Sequence, residues 1–507
     1  MSVLRRLRLA LPAALLGATS VAGYAPLNWF ALPLFALAGL FLLWHKASGA
    51  REAALIGFFF GLGLFGAGVS WVYVSLHDFG MMPLPIAAFA TLAFCLFLAL
   101  FPAAAGWLQA VLRIPRTANL LLVIPASWTA FEWIRAWIFT GFPWLPIGYS
   151  QIDTTMAGLA PIAGVYGLSF AAMIVAGAIA LVAVSTTRTQ TRTRALAIAI
   201  VVGATVFIAG GVARTIEWTG ARPVSIEVAM LQGNIPQELK FVEGRYQSIL
   251  DIYLRLLEGS KAQLIVLPET AIPRFINDID PAVLERMRAR AQANNGDILF
   301  GAPVGDPRGS YYNSIVSIGT APTQIYSKSH LVPFGEFVPP GFGWIVAVLH
   351  IPLSDFSRGP ANQRPLAVAG ERVAVNICYE DAFGDEIIRQ LPEATLLVNA
   401  SNVAWFGDSL APAQHLQIAR MRALETERPM LRATNTGVTA IIDHRGQAKQ
   451  LPGFSEGVLT GTVTGREGAT PYVRFGNYGV LGVLLVILAA AVVHRIRVKV
   501  GRQGRPR

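Results

Sequence analysis

Charged residues are spread very unevenly along this chain, and that distribution limits the fold more than any single motif. Residues 9–112 and 117–213 are nearly free of acids and bases, whereas 214–473 has the mixture of an ordinary globular domain. Over the whole sequence 54% of residues are hydrophobic and 14% are charged. Soluble domains carry about 25% charged residues. A large part of the chain is therefore expected in lipid, with a boundary near residue 214.

An apolar run of roughly 17–25 residues can cross a bilayer as a helix. The run 9–44 is too long for one span and reads as a tight hairpin turning near 24–28. Further spans are expected at 53–75, 84–112, 117–138, 160–184, 195–213 and 475–493, about eight transmembrane helices in all. The first 22 residues share the arginines, apolar run and small residues of a signal peptide. The pattern of loop charges favours an uncut span instead. Arg5, Arg6, Arg8, the 46–51 loop, Arg113, Arg116, Arg188, Arg192, Arg194 and the basic C-terminal tail all fall on one side. The opposite loops, 76–83 and 139–159, carry Asp78 and Asp153 but no lysine or arginine. By the positive-inside rule, 1–213 is then a membrane bundle of seven helices and 214–473 an extracytoplasmic domain. Residues 474–507 supply the eighth helix and a cytoplasmic tail. Glu132 and Arg135 fall near the outer end of the fifth span, among Trp128, Trp133, Trp137 and Trp144. Charges at that depth snorkel to the interface, pair inside the bundle or meet a headgroup, and the tryptophans suggest an interfacial belt.

The net charge of +11 resides largely in these topology signals. No basic stripe interleaved with aromatics is present, so nucleic acid is not expected as a partner. Cys95 and Cys378 are the only cysteines, and so lone a pair implies no disulfide framework. The histidines of the globular part, His330, His350, His415 and His444, lack metal-ligand spacing. Neither a metal nor a cofactor is expected.

From 222 onward the hydrophobic period changes. Residues 224–231 alternate as a strand does, and short apolar strands are predicted at 262–267, 297–300, 312–318, 323–327, 371–377, 395–399, 431–435 and 437–443. Helices are predicted at 246–257, 281–293, 384–391 and 412–426. Helices alternating with short apolar strands indicate a layered α/β domain. Glu269, Lys328 and Cys378 each stand just past one of these strands. A lone buried cysteine is usually inert, a lone glutamate caps, and a lone lysine is solvated. Brought together at adjacent strand ends, they would form an acyl-transfer site. The carboxylate would take the thiol proton, and the ammonium would stabilise thiolate and oxyanion.

These three segments resemble the Glu-Lys-Cys signature of the nitrilase superfamily, whose fold is an αββα sandwich. Together with the spans, the stretches 232–237, 268–271, 333–339, 378–380 and 405–409 resemble the bacterial apolipoprotein N-acyltransferase family. The resemblance implies Glu269 as general base, Lys328 as oxyanion-stabilising lysine and Cys378 as acyl-carrying nucleophile. It implies Glu336 as a second, supporting glutamate, and supporting or substrate-binding roles for Tyr379, Glu380, Phe241 and Trp405. Phe241 stands where the family often has tryptophan, and Val403 where it has aspartate. The implied reaction is ping-pong: a phospholipid, typically phosphatidylethanolamine, acylates the thiol, and the amine of a diacylglyceryl-cysteine apolipoprotein takes the acyl chain. The implied setting is the bacterial inner membrane, with the catalytic domain on the periplasmic side and the protein a monomer. The apolar segment 339–350 reads either as a membrane-dipping lid or as a core helix. A membrane-tethered amidase or nitrile hydrolase using the same triad, and a transporter with an external binding domain, are the competing readings.

Overall fold

A computed structural model describes residues 3–112, 114–185, 189–306, 308–338 and 355–503. The 339–350 segment lies outside the described residues. The apolar segments expected to span are helical over most of their length, though the helix in the segment expected at 53–75 ends at Gly68. Among the described residues, five helices are long and apolar enough to cross a membrane: Ala50–Gly68, Leu84–Leu112, Thr155–Val184, Gln190–Ala213 and Tyr478–Val500. Leu9–Gly23 and Ala31–His45 are apolar but shorter. The fifth expected span is helical in three consecutive pieces, Arg116–Ala118, the π-helical Asn119–Val123 and Ile124–Arg135.

Packing divides the chain into two units, 1–70 with 88–216 and 475–507, and 71–87 with 217–474. In the helical unit the Glu132–Arg135 pair faces inward. The Glu132 carboxylate accepts from Trp128 Nε1 at 2.8 Å and from the N–H of Ile147 at 2.9 Å. Arg135 donates to the carbonyls of Phe142 and Trp144, both at 2.6 Å. Trp128 and Trp144 are buried, while Trp137 is exposed. The charges therefore tie down the 142–147 loop, and the expected belt is reduced to its outer members. The reason is that a buried charge in this setting needs partners, and backbone groups of a non-helical loop need them equally.

The α/β unit is built on two six-stranded sheets. In the first, β1 (Thr219–Gln232), β2 (Leu264–Val266) and β3 (Asp297–Gly305) run parallel. β4 (Tyr311–Gly319) and β5 (Ile325–Ser327) follow as antiparallel neighbours. The second sheet comprises β6 (Leu366–Val368), β7 (Glu371–Ile377), β8 (Leu396–Ser401), β9 (Met430–Thr434), β10 (Thr439–Ile442) and β11 (Ala448–Leu451). Its central strands β7, β8 and β9 are parallel. Finally β12 (Gly457–Gly468) returns to pair antiparallel with β1.

Period-two burial explains the layers. Val228, Met230, Leu264 and Val266 of the first sheet join Val373, Val375, Leu396 and Val398 of the second in one apolar cluster. The alternate residues Ala229, Leu231 and Ile265 meet Ile249, Tyr253 and Leu254 of the helix Tyr246–Gly259. On the other side Ala374 and Leu397 meet Leu416, Ala419 and Ala423 of the helix Ala411–Thr426. The order of layers is helix, sheet, sheet, helix. Strands β6, β11 and β12 were not legible in the sequence, because short or mixed-polarity edge strands lack a clear period. The expected helix at 384–391 is one α-turn, Gly384–Ile387, followed by a 3₁₀ turn, Ile388–Gln390.

Candidate active site

Parallel strands deliver their loops to one end of a sheet, and ligand crevices form outside those carboxyl ends. Glu269 follows β2, Cys378 follows β7 and Lys328 follows β5. Two antiparallel steps separate β5 from β3, so β5 points the same way as β2, and Lys328 leaves its sheet at the same end as Glu269.

Glu269 is held on every side. Its Oε1 accepts from Lys328 Nζ at 3.2 Å and from Asn313 Nδ2 at 2.7 Å, and its Oε2 accepts from the N–H of Asn402 at 2.8 Å. The turn that carries it presses against β3, with Thr270 at φ +49°. Gly301 permits this approach, since a Cβ there would stand 2.2 Å from the Thr270 nitrogen. Lys328 Nζ also lies 2.9 Å from the Glu336 carboxylate, which takes a second bond from Asn313 Nδ2 at 2.9 Å. One lysine and one amide thus bridge two carboxylates.

Cys378 opens a 3₁₀ turn, Cys378–Ala382, directly after β7. It has φ +52°, a left-handed conformation that costs a non-glycine residue about 1–3 kcal/mol. The surrounding bonds hold it there. The Cys378 carbonyl accepts from Asn399 Nδ2 at 3.0 Å. Glu380 accepts from the N–H of Ile377 at 2.7 Å, from Tyr326 Oη at 3.0 Å and from the N–H groups of Ser329 and His330. Behind the turn, Asp381 binds His415 at 2.7 Å and Arg432 at 3.0 Å, and Arg432 reaches on to Asn399 at 2.5 Å. Tyr379 packs edge-on to Phe383 and His330.

The electrostatics follow from burial. Burial pushes the Cys378 thiol up, the Glu269 carboxylate adds to the rise and Lys328 opposes it, leaving the thiol at about 12. Burial also raises Glu269, but Lys328, Asn313, Lys240 and the Asn402 N–H outweigh it, so its carboxyl lies below the usual range. Lys328 is drawn down by burial and raised further by Glu269, Glu336 and Cys378, so it stays charged. The resting site is thiol, carboxylate and ammonium. It can carry out general-base attack by sulfur, with the oxyanion formed near a fixed cation.

Of the residues singled out in the sequence, Glu269, Lys328 and Glu336 are in direct contact, while Tyr379 and Glu380 flank the thiol. Trp405 lies on the 3₁₀ turn Val403–Phe406, three residues beyond Asn402; its carbonyl accepts from Ser75 Oγ at 2.7 Å and its ring meets Phe79. Phe241 is half-buried, next to Lys240. Val403 is buried, and a Cβ on Gly437 would stand 2.1 Å from its Cγ2, so an apolar contact fills the place expected for an aspartate. Sequence reasoning missed Lys240, Asn313, Asn399 and Asp381. Asparagines inside the buried strands β4 and β8 mark Asn313 and Asn399 as polar positions, but not which group each serves.

Comparison with known proteins resolves which chemistry this scaffold serves. Residues 16–178 match the model of the apolipoprotein N-acyltransferase N-terminal domain, and 227–472 match the carbon-nitrogen hydrolase model. An apolipoprotein N-acyltransferase of Nitrosomonas europaea is 48% identical over 479 residues, covering 93% of this chain and 95% of its own. The chain belongs to the apolipoprotein N-acyltransferase family. Members from Ralstonia nicotianae and Methylococcus capsulatus are 43% and 42% identical, each over 95% of their own length. This N-acyltransferase is a membrane protein, whose apolar helices and nitrilase-like sandwich occur together in one chain.

Proposed function

We propose that the enzyme moves a fatty acyl chain from a phospholipid to the α-amine of a diacylglyceryl-cysteine apolipoprotein, through a thioester on Cys378. The observation that carries this reading is the Glu269–Lys328–Glu336 cluster at the strand ends that also present Cys378. In the first half-reaction Glu269 takes the thiol proton as Sγ bonds to the ester carbon. Lys328 offsets the charge on the carbonyl oxygen. The ester C–O bond breaks and the departing lysophospholipid oxygen takes the proton back from Glu269. In the second half-reaction the acceptor amine attacks the thioester, gives a proton to Glu269 and releases the sulfur, which is reprotonated. A thioester suits this order because an amine resolves it to a more stable amide.

The proposed setting is the bacterial inner membrane, with the domain at 214–473 on the periplasmic side, as the loop charges support. Phosphatidylethanolamine is the proposed donor and a monomer the proposed functional form. Intact-mass measurement after incubation with phosphatidylethanolamine tests the reading. A fatty-acyl increment on the wild type, absent from Cys378→Ala and removed by a diacylglyceryl-cysteine peptide, is the expected result. Turnover of small amides with no adduct would instead favour a tethered hydrolase.

A further inference from the structure

Lys240 is a buried cation that the mechanism above leaves unused. It closes the 3₁₀ turn Gln237–Leu239 and is 3% exposed. Its Nζ donates to the backbone carbonyl of Glu269 at 3.0 Å, and this is its one hydrogen bond among the described residues. A single neutral acceptor does not compensate a desolvated ammonium; a nearby anion is needed. The titratable groups facing Lys240 are Glu269 and Cys378.

Charge balance in the pocket gives this placement a purpose. Two carboxylates, Glu269 and Glu336, share Lys328. When the thiol proton moves to Glu269, the negative charge passes to sulfur, yet Glu336 still occupies Lys328. Cys378 is also faced by the anion Asp381 from its own turn and by Arg432 from β9, and Arg432 is already committed to Asp381. We infer that Lys240 is the second positive charge of the active site, a positioning residue that acts through Glu269 and Cys378 and stabilises the thiolate as it forms.

This inference rests on Cys378 being the nucleophile. Burial draws Lys240 down to about 8, against the pull of Glu269 and Cys378, so its charge is present at neutral pH and fades above about pH 8. The assistance it gives to the thiolate must fade over the same range.

The test is the rate of Cys378 alkylation by iodoacetamide, followed by mass spectrometry on the full-length protein in lipid nanodiscs. A Cys95→Ser background leaves one thiol. Lys240→Gln keeps a donor for the Glu269 carbonyl and removes the charge; Lys240→Arg keeps the charge. The expected result is a rate about tenfold lower for Lys240→Gln near pH 7, converging on the wild type above about pH 8, with Lys240→Arg within about threefold of wild type near pH 7 and faster than wild type above about pH 8, where only the arginine keeps its charge. A reduction by the same factor at every pH, no reduction, or an arginine variant as slow as the glutamine variant overturns the role of Lys240 while leaving Cys378 as nucleophile. Absence of any labelling of wild-type Cys378 overturns the nucleophile assignment itself, and this inference with it.

Discussion

Glu380, two residues beyond Cys378, accepts a hydrogen bond from the N–H of Ser329, the residue after Lys328, at 2.7 Å. The same carboxylate binds the N–H of Ile377, so one side chain ties the strand end that carries the thiol to the strand end that carries the ammonium. Both of its oxygens face donors only. Glu380→Gln turns one oxygen into an NH₂ group aimed at other donors. A loss of about 2–4 kcal/mol in stability is expected, together with a large loss of acylation. Thermal unfolding in detergent, paired with single-turnover acylation, checks both, and Cys378→Ala serves as an inactive control of near-native stability.

Lys328→Met leaves two carboxylates buried without their cation. Breaking such a cluster costs about 3–5 kcal/mol. Adding Glu336→Gln to that variant should restore part of the stability and none of the activity, because the proposed oxyanion partner, Lys328, is still missing. A melt that is no better in the double variant would show that the Lys328–Glu336 contact contributes nothing to the fold.

Asn313→Ala removes one of the contacts that hold Glu269 ionised against the effect of burial. The folded pKa of Glu269 is depressed, so its charge contributes stability above the unfolded value, and that contribution is lost as pH falls through the folded value. Without Asn313 the folded value rises. The acid limb of the acylation rate should therefore move toward higher pH. An unmoved limb with a uniformly lower rate would assign Asn313 to packing alone.

Gly301→Ala places a Cβ 2.2 Å from the Thr270 nitrogen, on a rigid strand beside the Glu269 turn. Overpacking of this kind costs about 1–3 kcal/mol. Because the displaced segment carries Glu269, the proposed general base, acylation should fall by more than about tenfold even at temperatures where the variant is fully folded. Circular dichroism and the acyl-adduct rate, measured on the same sample, separate the two effects.

The division of the chain into apolar helices and an α/β sandwich was legible in the sequence, as were Glu269, Lys328 and Cys378 at strand ends. Hydrophobic period and charge are properties of neighbours along the chain, so a linear reading captures them. The resemblance to a known family supplied Glu336, Tyr379 and Glu380. What could not be read were partners such as Asn313, 44 residues from Glu269, or Asn402, 133 residues away. An asparagine, a buried lysine or an aspartate behind a turn carries no local signature of the group it serves.

By itself, then, the sequence determined which segments form long apolar helices, where most of the strands lie, and that Glu269, Lys328 and Cys378 stand just past strands. Only the tertiary structure decided that Lys328 is shared by two carboxylates, that Glu132 and Arg135 bind a loop, and that Lys240 lies under Glu269. The reason is physical. Hydrogen bonds and charge pairs act over a few ångströms in space, and the order and direction of the strands decide which distant residues come within that reach.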